Sequence, residues 1–346
     1  MNFNYFLPVN IVFGCGRVSE TGQLTKPYGT RALIVTGRSS AKKSGLYDRV
    51  KDSLRAAGID SVLFDKVQQN PLTTTAIEGA QFAKASRCDC VVAIGGGSIM
   101  DCAKAIAFLA VNDGDINDYI FGKTASDRAL PLILIPTTCG TGSEGNGFAV
   151  LTNPENGDKK SLRCNAIVAK VSIVDPECMM TMPKKVLAAV GFDALCHCME
   201  AYLSRISQPF TDALSLYAIS LLAENLTAVY PHGMEHPASG LKDIVHGQGL
   251  AALTPVITEA SCHGDPVRYG KIAQLLGGKT AEDCAPQLRR LLHGLELTCT
   301  LSQLGLSERD IPWMAENCMK VSAAGVANHP VVFTQAEIAA LYRKAM

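Results

Sequence analysis

Residues 89–109 read DCVVAIGGGSIMDCAKAIAFL. A short apolar run, three glycines and an Ala-rich segment without proline make strand, tight turn and helix in one pass. A strand this apolar on every position is buried on both faces, which is the habit of a parallel sheet. The same alternation surrounds it. Arg31–Val35 (RALIV), Ser61–Phe64 and Pro131–Ile135 (PLILI) are further short apolar runs, and Gly45–Ala57 and Thr73–Ala85 carry helical spacing between them. Such an order predicts a parallel sheet with helices on both faces. Tyr5–Phe13 alternates loosely into Gly14-Cys15-Gly16 and reads as an edge hairpin entering this domain.

Past Pro183 the texture changes. Lys184–Ser204, Gln208–Ala228, Gly249–Ala260 and Asp265–Leu276 are long Ala/Leu-rich segments with few β-branched runs. The chain of 346 residues is more than one core usually supports. It divides into a Rossmann-like α/β domain over 1–182, a dinucleotide-binding plan, and an all-helical domain over 183–346.

Charge excludes one class of partner. Lys+Arg and Asp+Glu both number 32, so no basic footprint for nucleic acid exists. No uninterrupted run of about twenty apolar residues suggests a membrane span, and the N-terminus lacks the pattern of a signal peptide. The 13 Cys are scattered, with C-x-C pairs rather than zinc-ribbon spacing. An odd count in a well-cored chain fits a reducing cytoplasm.

Three clusters carry chemistry. Gly95-Gly96-Gly97-Ser98 lets the backbone approach a ligand closely, with the free N–H groups of the following helix behind it. Ser98-x-x-Asp101 also reads as a capping box. Pro136-Thr137-Thr138-Cys139-Gly140-Thr141-Gly142-Ser143-Glu144 leaves the next buried strand as a dense set of hydroxyls and glycines. Two such loops at the carboxyl ends of successive strands are where open α/β sheets bind ligands. The third cluster lies in the helical half. Asp193 and His197 share a helix face at i,i+4. His232 and His236 repeat that spacing, and His246 follows, in a chain with only 7 His. Imidazoles with one carboxylate suit Fe(II), Zn(II) or their neighbours.

Together, Asn70-Pro71, GGGSIMDCAKAIA, PTTCGTGSE, the VDP of Val174–Pro176, GFDALCHCMEAYLS and HGMEHP with its later His246-Gly247 resemble the iron-containing (group III) alcohol dehydrogenases, nearly end to end. The resemblance implies the dehydroquinate synthase-like, two-domain architecture of that family. It implies metal ligands Asp193, His197, His232 and His246, with His236 an unligated imidazole that relays protons. Cofactor phosphates would lie on Gly95, Gly96, Gly97 and Ser98. Asn70, Thr137, Thr138, Thr141 and Lys160 would line the rest, and Asp101, Ser143, Gly37 and Ser39 join that set. The implied chemistry is reversible hydride transfer between NAD(P)(H) and a small primary alcohol or aldehyde at Fe2+, with Zn2+ also possible, in a homodimer. Neighbouring readings are a zinc-dependent polyol dehydrogenase, a dehydroquinate-synthase-like lyase, and a nucleotide-binding protein with an incomplete metal site.

The sequence departs from the family pattern in three places. Many members carry Asp after the first strand, where it accepts from the ribose 2′-OH. Here Gly37 stands there, followed by Arg38, Ser39 and Ser40, and a site without that carboxylate favours NADP(H) over NAD(H). After Gly-Ser-Glu most members continue Val-Thr, whereas this chain has Gly145-Asn146-Gly147. Finally, a helix pair of about thirty residues usually precedes the first His-Gly motif, but here Tyr230-Pro231 leads directly into His232.

Overall fold

The computed structural model describes residues 2–225, 238, 240–242 and 244–346. They form two compact units. One comprises Phe6–Asn156 and Lys160–Met182; the other comprises Met1–Tyr5, Gly157–Lys159 and Pro183–Met346.

The first unit is built on a six-stranded parallel sheet of β1 (Asn10–Phe13), β2 (Arg31–Gly37), β3 (Asp60–Val67), β4 (Cys90–Gly95), β5 (Leu132–Pro136) and β8 (Val171–Val174). A separate two-stranded sheet pairs β6 (Phe148–Thr152) with β7 (Lys159–Arg163). The order in the main sheet is β1-β8-β5-β4-β2-β3. All of β4 and β5 is buried, as their unbroken apolar runs require. Alternate side chains feed two cores: Leu33, Val35, Val91, Ala93 and Leu134 on one face, Ala32, Ile34, Val92, Ile94 and Ile135 on the other. Helix Gly97–Leu109 packs on the first face with Met100 through Leu109 buried, Asp101 excepted.

The chain runs β2 to β3 in one direction, then returns to place β4 on the other side of β2. The crevice at the carboxyl ends of β2 and β4 is therefore the switch point where such sheets take ligands.

The expected N-terminal hairpin does not form. β1 is an edge strand, but its partner is β8, in parallel, with Asn10 opposite Val171. Gly16, at φ 75°, turns the chain into a short 3-10 helix at Arg17–Glu20 rather than into a returning strand. The β6–β7 pair is a feature the sequence reading missed; β7 (KKSLR) carries no apolar alternation to mark it as a partner for β6 (FAVLT).

The second unit is helical, led by Lys184–Leu203, Pro209–Asn225, His246–Ser261, Pro266–Leu275, Cys284–Gly294, Ile311–Val321 and Gln335–Lys344. By length and mean hydropathy (20 residues, 1.4) the Lys184–Leu203 helix would qualify to cross a membrane. In this fold Phe192, Leu195, Cys196 and Met199 of that helix sit in a core with Ile219, Leu250, Tyr269 and Leu288. The Gly157–Lys159 segment joins this unit through the buried carboxylate of Asp158, which accepts from Asn317 Nδ2 at 2.7 Å and Lys320 Nζ at 2.6 Å.

Candidate active site

Two sets of candidate residues stand out, and each lies within one unit. In the α/β unit, β4 ends at Gly95 and the helix behind it opens at Gly97, with Gly96 at its N-cap. The capping box read from Ser98 and Asp101 is absent, because the helix starts before Ser98. A Cβ on Gly96 would lie 2.9 Å from Thr138 Oγ1, and one on Gly97 would lie 2.7 Å from Thr141 Cγ2. The glycines are needed because the two loops touch here. Thr137 N donates to Gly95 O at 3.1 Å, closing the junction. The structure thus brings together the glycine turn and Thr137, Thr138 and Thr141, each partly exposed.

Asn70 sits at φ 49°, a conformation costly for any residue with a Cβ though Asn tolerates it best. It is 9% exposed, and the strain at a loop after β3 fits a functional position. Gly37 ends β2, with Arg38 and Ser39 exposed after it. A Cβ on Gly37 would meet Ile99 Cδ1 at 3.4 Å and Val67 O at 3.5 Å, ordinary contact. The glycine here is not forced by packing. Lys160 lies with its ammonium 4.6 Å from the Phe121 ring centroid, a cation–π contact.

Asp101 and Ser143 face into the protein. Ser143, 3% exposed, donates from Oγ to Asp101 Oδ1 at 2.6 Å, and Val150 N donates to Asp101 Oδ2 at 3.0 Å. Lys104, which the motif reading passed over, lies at the centre of this network. Its side chain is fully buried, and Nζ donates to Ser143 Oγ, Asn146 Oδ1 and Phe148 O at 2.9, 3.0 and 2.8 Å. Burial pushes its pKa down to about 8, against the pull of Asp101 and Glu144. Burial also raises the Glu144 carboxyl above its usual value. A signal for Lys104 was present: it is the one charge in the run CAKAIAFLA, on a helix with no polar face to carry it.

In the helical unit, Asp193 is 4% exposed on the Lys184–Leu203 helix, one turn before His197. His246 opens the helix that packs beside it. The approach is close because the next residue is glycine: a Cβ on Gly247 would lie 2.5 Å from Ala189 O. That contact delivers His246 Nε2 to 3.6 Å from Asp193 Oδ1, with His197 Nε2 at 3.7 Å from the same oxygen. These separations are too long for hydrogen bonds. They suit atoms sharing a cation at bonds of about 2.0–2.2 Å. One carboxylate and two imidazoles are a donor set for a borderline divalent ion. Among the described residues no group of three or more His, Cys, Asp or Glu is placed to hold a metal ion as it stands. His232 and His236 lie outside the described residues.

Comparison with known proteins gives the family. The sequence model of the family "Iron-containing alcohol dehydrogenase" matches residues 8–176, and that of its C-terminal region matches 187–231 and 227–346. The 1,3-propanediol dehydrogenase of Citrobacter freundii is 33% identical over 383 positions, covering 99% of this chain and 98% of that protein. The NAD-dependent methanol dehydrogenase of Bacillus methanolicus is 30% identical over 99% of this chain and all of its own length (100%). The crystal structure of an archaeal halo-thermophilic alcohol dehydrogenase from a Red Sea brine pool superposes with a TM-score of 0.95 at 32% identity, covering 100% of this chain and 99% of that one. Since 383 aligned positions exceed 346 residues by 37, at least that many positions of the first alignment have no counterpart here. The C-terminal match breaks at 227–231, the short connection noted in the sequence. Both halves of the chain match the same family of oxidoreductases, so this chain is a member of the iron-containing alcohol dehydrogenase family.

Proposed function

We propose that this protein reduces small aldehydes to primary alcohols, and the reverse, with NADP(H) preferred and Fe2+ as the metal. The observation that carries the reading is the convergence of His197 and His246 on one oxygen of the buried Asp193. Relatives named for 1,3-propanediol and methanol support a short primary alcohol as substrate.

In this reading Asp193, His197, His246 and His232 hold the metal, whose chemistry is to polarise the substrate oxygen. Asp193 neutralises part of the cation's charge from a water-poor position, while the two imidazoles aim their Nε2 atoms at the same point. His236 moves the proton to and from the substrate oxygen. The glycine turn and helix N-terminus hold the diphosphate of the dinucleotide, which supplies the hydride. Thr137, Thr138, Thr141, Asn70 and Lys160 line the remainder. Lys160 is steadied on Phe121. Gly37 leaves the end of β2 without a carboxylate, and Arg38 and Ser39 offer partners for a 2′-phosphate.

The test is oxidation of NADPH and NADH with a panel of short aldehydes, on anaerobic Fe(II)-loaded protein beside a chelated control. Metal-dependent turnover, faster with NADPH, is the expected result. Turnover that survives chelation would sink the metal reading, and faster NADH oxidation would sink the Gly37 argument. A homodimer is proposed through the free edge of β1, where Ile11 and Phe13 are 47% and 67% exposed; a monomeric mass by light scattering would refute it. The odd count of 13 cysteines, scattered through a well-cored chain, supports a cytoplasmic location, which cell fractionation checks.

A further inference from the structure

The buried ammonium of Lys104 has no place in binding or chemistry as described above. A charge removed from water costs several kcal/mol unless fully partnered, on the order of that for any buried ion. Here the partners are chosen from one segment. Ser143 Oγ, Asn146 Oδ1 and Phe148 O all lie in the six residues from 143 to 148, where the threonine loop ends and β6 begins. Asp101, one turn earlier on the same helix, binds that stretch at Ser143 and at Val150 N. Asn146 completes the knot: its Oδ1 also accepts from Phe148 N at 3.0 Å, and its Nδ2 donates to Gly142 O at 3.0 Å. Gly147 is part of the same arrangement, since a Cβ there would lie 2.5 Å from Cys164 O.

We propose that Lys104 and Asn146 form a positioning clamp that fixes the Thr137–Gly142 loop against the glycine turn and so presets the dinucleotide site. This rests on the reading of that site given above. The helix that opens the glycine turn at Gly97 carries Lys104 on its second turn, while Asn146 ends the threonine loop. One set of hydrogen bonds therefore fixes the distance between the two walls of the site. Both act through Thr138 and Thr141, whose side chains lie where a Cβ on Gly96 or Gly97 would press. Asn146 is one of the residues by which this chain departs from its family's usual Val-Thr, so the clamp in this form is a property of this chain.

The test compares wild type, Lys104→Met, Asn146→Ala and the double variant. Dissociation constants for NADPH and NADH are read by nucleotide fluorescence on the full chain, with and without chelator. Lys104→Met keeps the unbranched apolar stem, one atom shorter, and removes its donors. We expect the NADPH constant to rise about tenfold in Lys104→Met, in line with loss of charge-assisted hydrogen bonds. Asn146→Ala should give a smaller rise of about three- to fivefold. The double variant should be no weaker than Lys104→Met alone, because both changes break one unit. In steady state the rise should fall on cofactor KM, with kcat at saturating cofactor within about twofold.

Binding within about twofold of wild type in either folded variant overturns the clamp. If Lys104→Met does not fold, Asn146→Ala decides, since Asn146 is partly exposed and its loss leaves the ammonium two acceptors. A wild-type chain that binds neither dinucleotide overturns the site reading and the clamp with it. Normal wild-type binding with unaffected variants overturns the clamp alone.

Discussion

His246 Nε2 lies 3.6 Å from Asp193 Oδ1, although the two residues are on separate helices. What joins them is the neighbour of His246. Gly247 sits where a Cβ would press on Ala189 O at 2.5 Å and on Ala189 Cα at 2.8 Å, so the helices cross at a distance only glycine permits. Gly247→Ala should push the helices apart at this point and move His246 off its oxygen. We expect metal affinity to fall by about 10–100-fold, the range for misorienting a ligand, and Asp193→Asn to cost more. Metal content after dialysis against a chelator series, together with NADPH binding as a control that should not change, checks both variants.

Gly37→Asp tests the cofactor preference. A Cβ at this position finds ordinary contacts, 3.4 Å from Ile99 Cδ1 and 3.5 Å from Val67 O, so the backbone should accept the substitution. A new carboxylate near a 2′-phosphate repels it, and near a 2′-OH it gains an acceptor. At a partly exposed site two unit charges about 4 Å apart are worth about 1–4 kcal/mol. The ratio of kcat/KM for NADPH over NADH should fall at least about fivefold, from the lower end of that range. An unchanged ratio would place the 2′ position elsewhere.

Gly97→Ala separates stability from binding. Alanine in a helix is favoured over glycine by about 1 kcal/mol, yet here its Cβ would lie 2.7 Å from Thr141 Cγ2. The prediction is little change in Tm with a rise of about tenfold or more in the NADPH dissociation constant. Equal binding by the variant, measured by titration, would show that the two loops yield without consequence.

Asp89 offers a pH signature in the α/β unit. Burial pushes its pKa up, but amide hydrogen bonds from Arg31 and Thr30 and the Thr30 hydroxyl outweigh that and hold it below the usual carboxylate value. A depressed folded-state pKa stabilises the fold above the unfolded value, near 3.9 as a rough figure, and that stability is lost as pH falls through the folded value. Asp89→Asn should therefore cost about 1 kcal/mol at neutral pH, with the difference shrinking in acid. Urea unfolding at neutral pH and below the carboxylate range measures it. A pH-independent gap would mean the loss is steric.

Much of the molecule was legible in one dimension. The unbroken apolar runs of β4 and β5 announce burial on both faces, and Asp193 and His197 share a helix face by period alone. The glycine turn and threonine loop could be read as a ligand site because composition there serves the backbone directly. What period and composition report is the face of an element, never its partner. Only the folded chain decides that β1 lies parallel to β8 rather than turning back as a hairpin, because that pairing joins strands more than 150 residues apart. Only the fold turns Asp101 and Ser143 inward to each other, gives the Lys104 ammonium its three acceptors, and carries His246 to Asp193. The first group follows from local backbone preference and side-chain chemistry, which each residue carries with it. The second depends on which distant surfaces come to exclude water together, and no short stretch of sequence contains that.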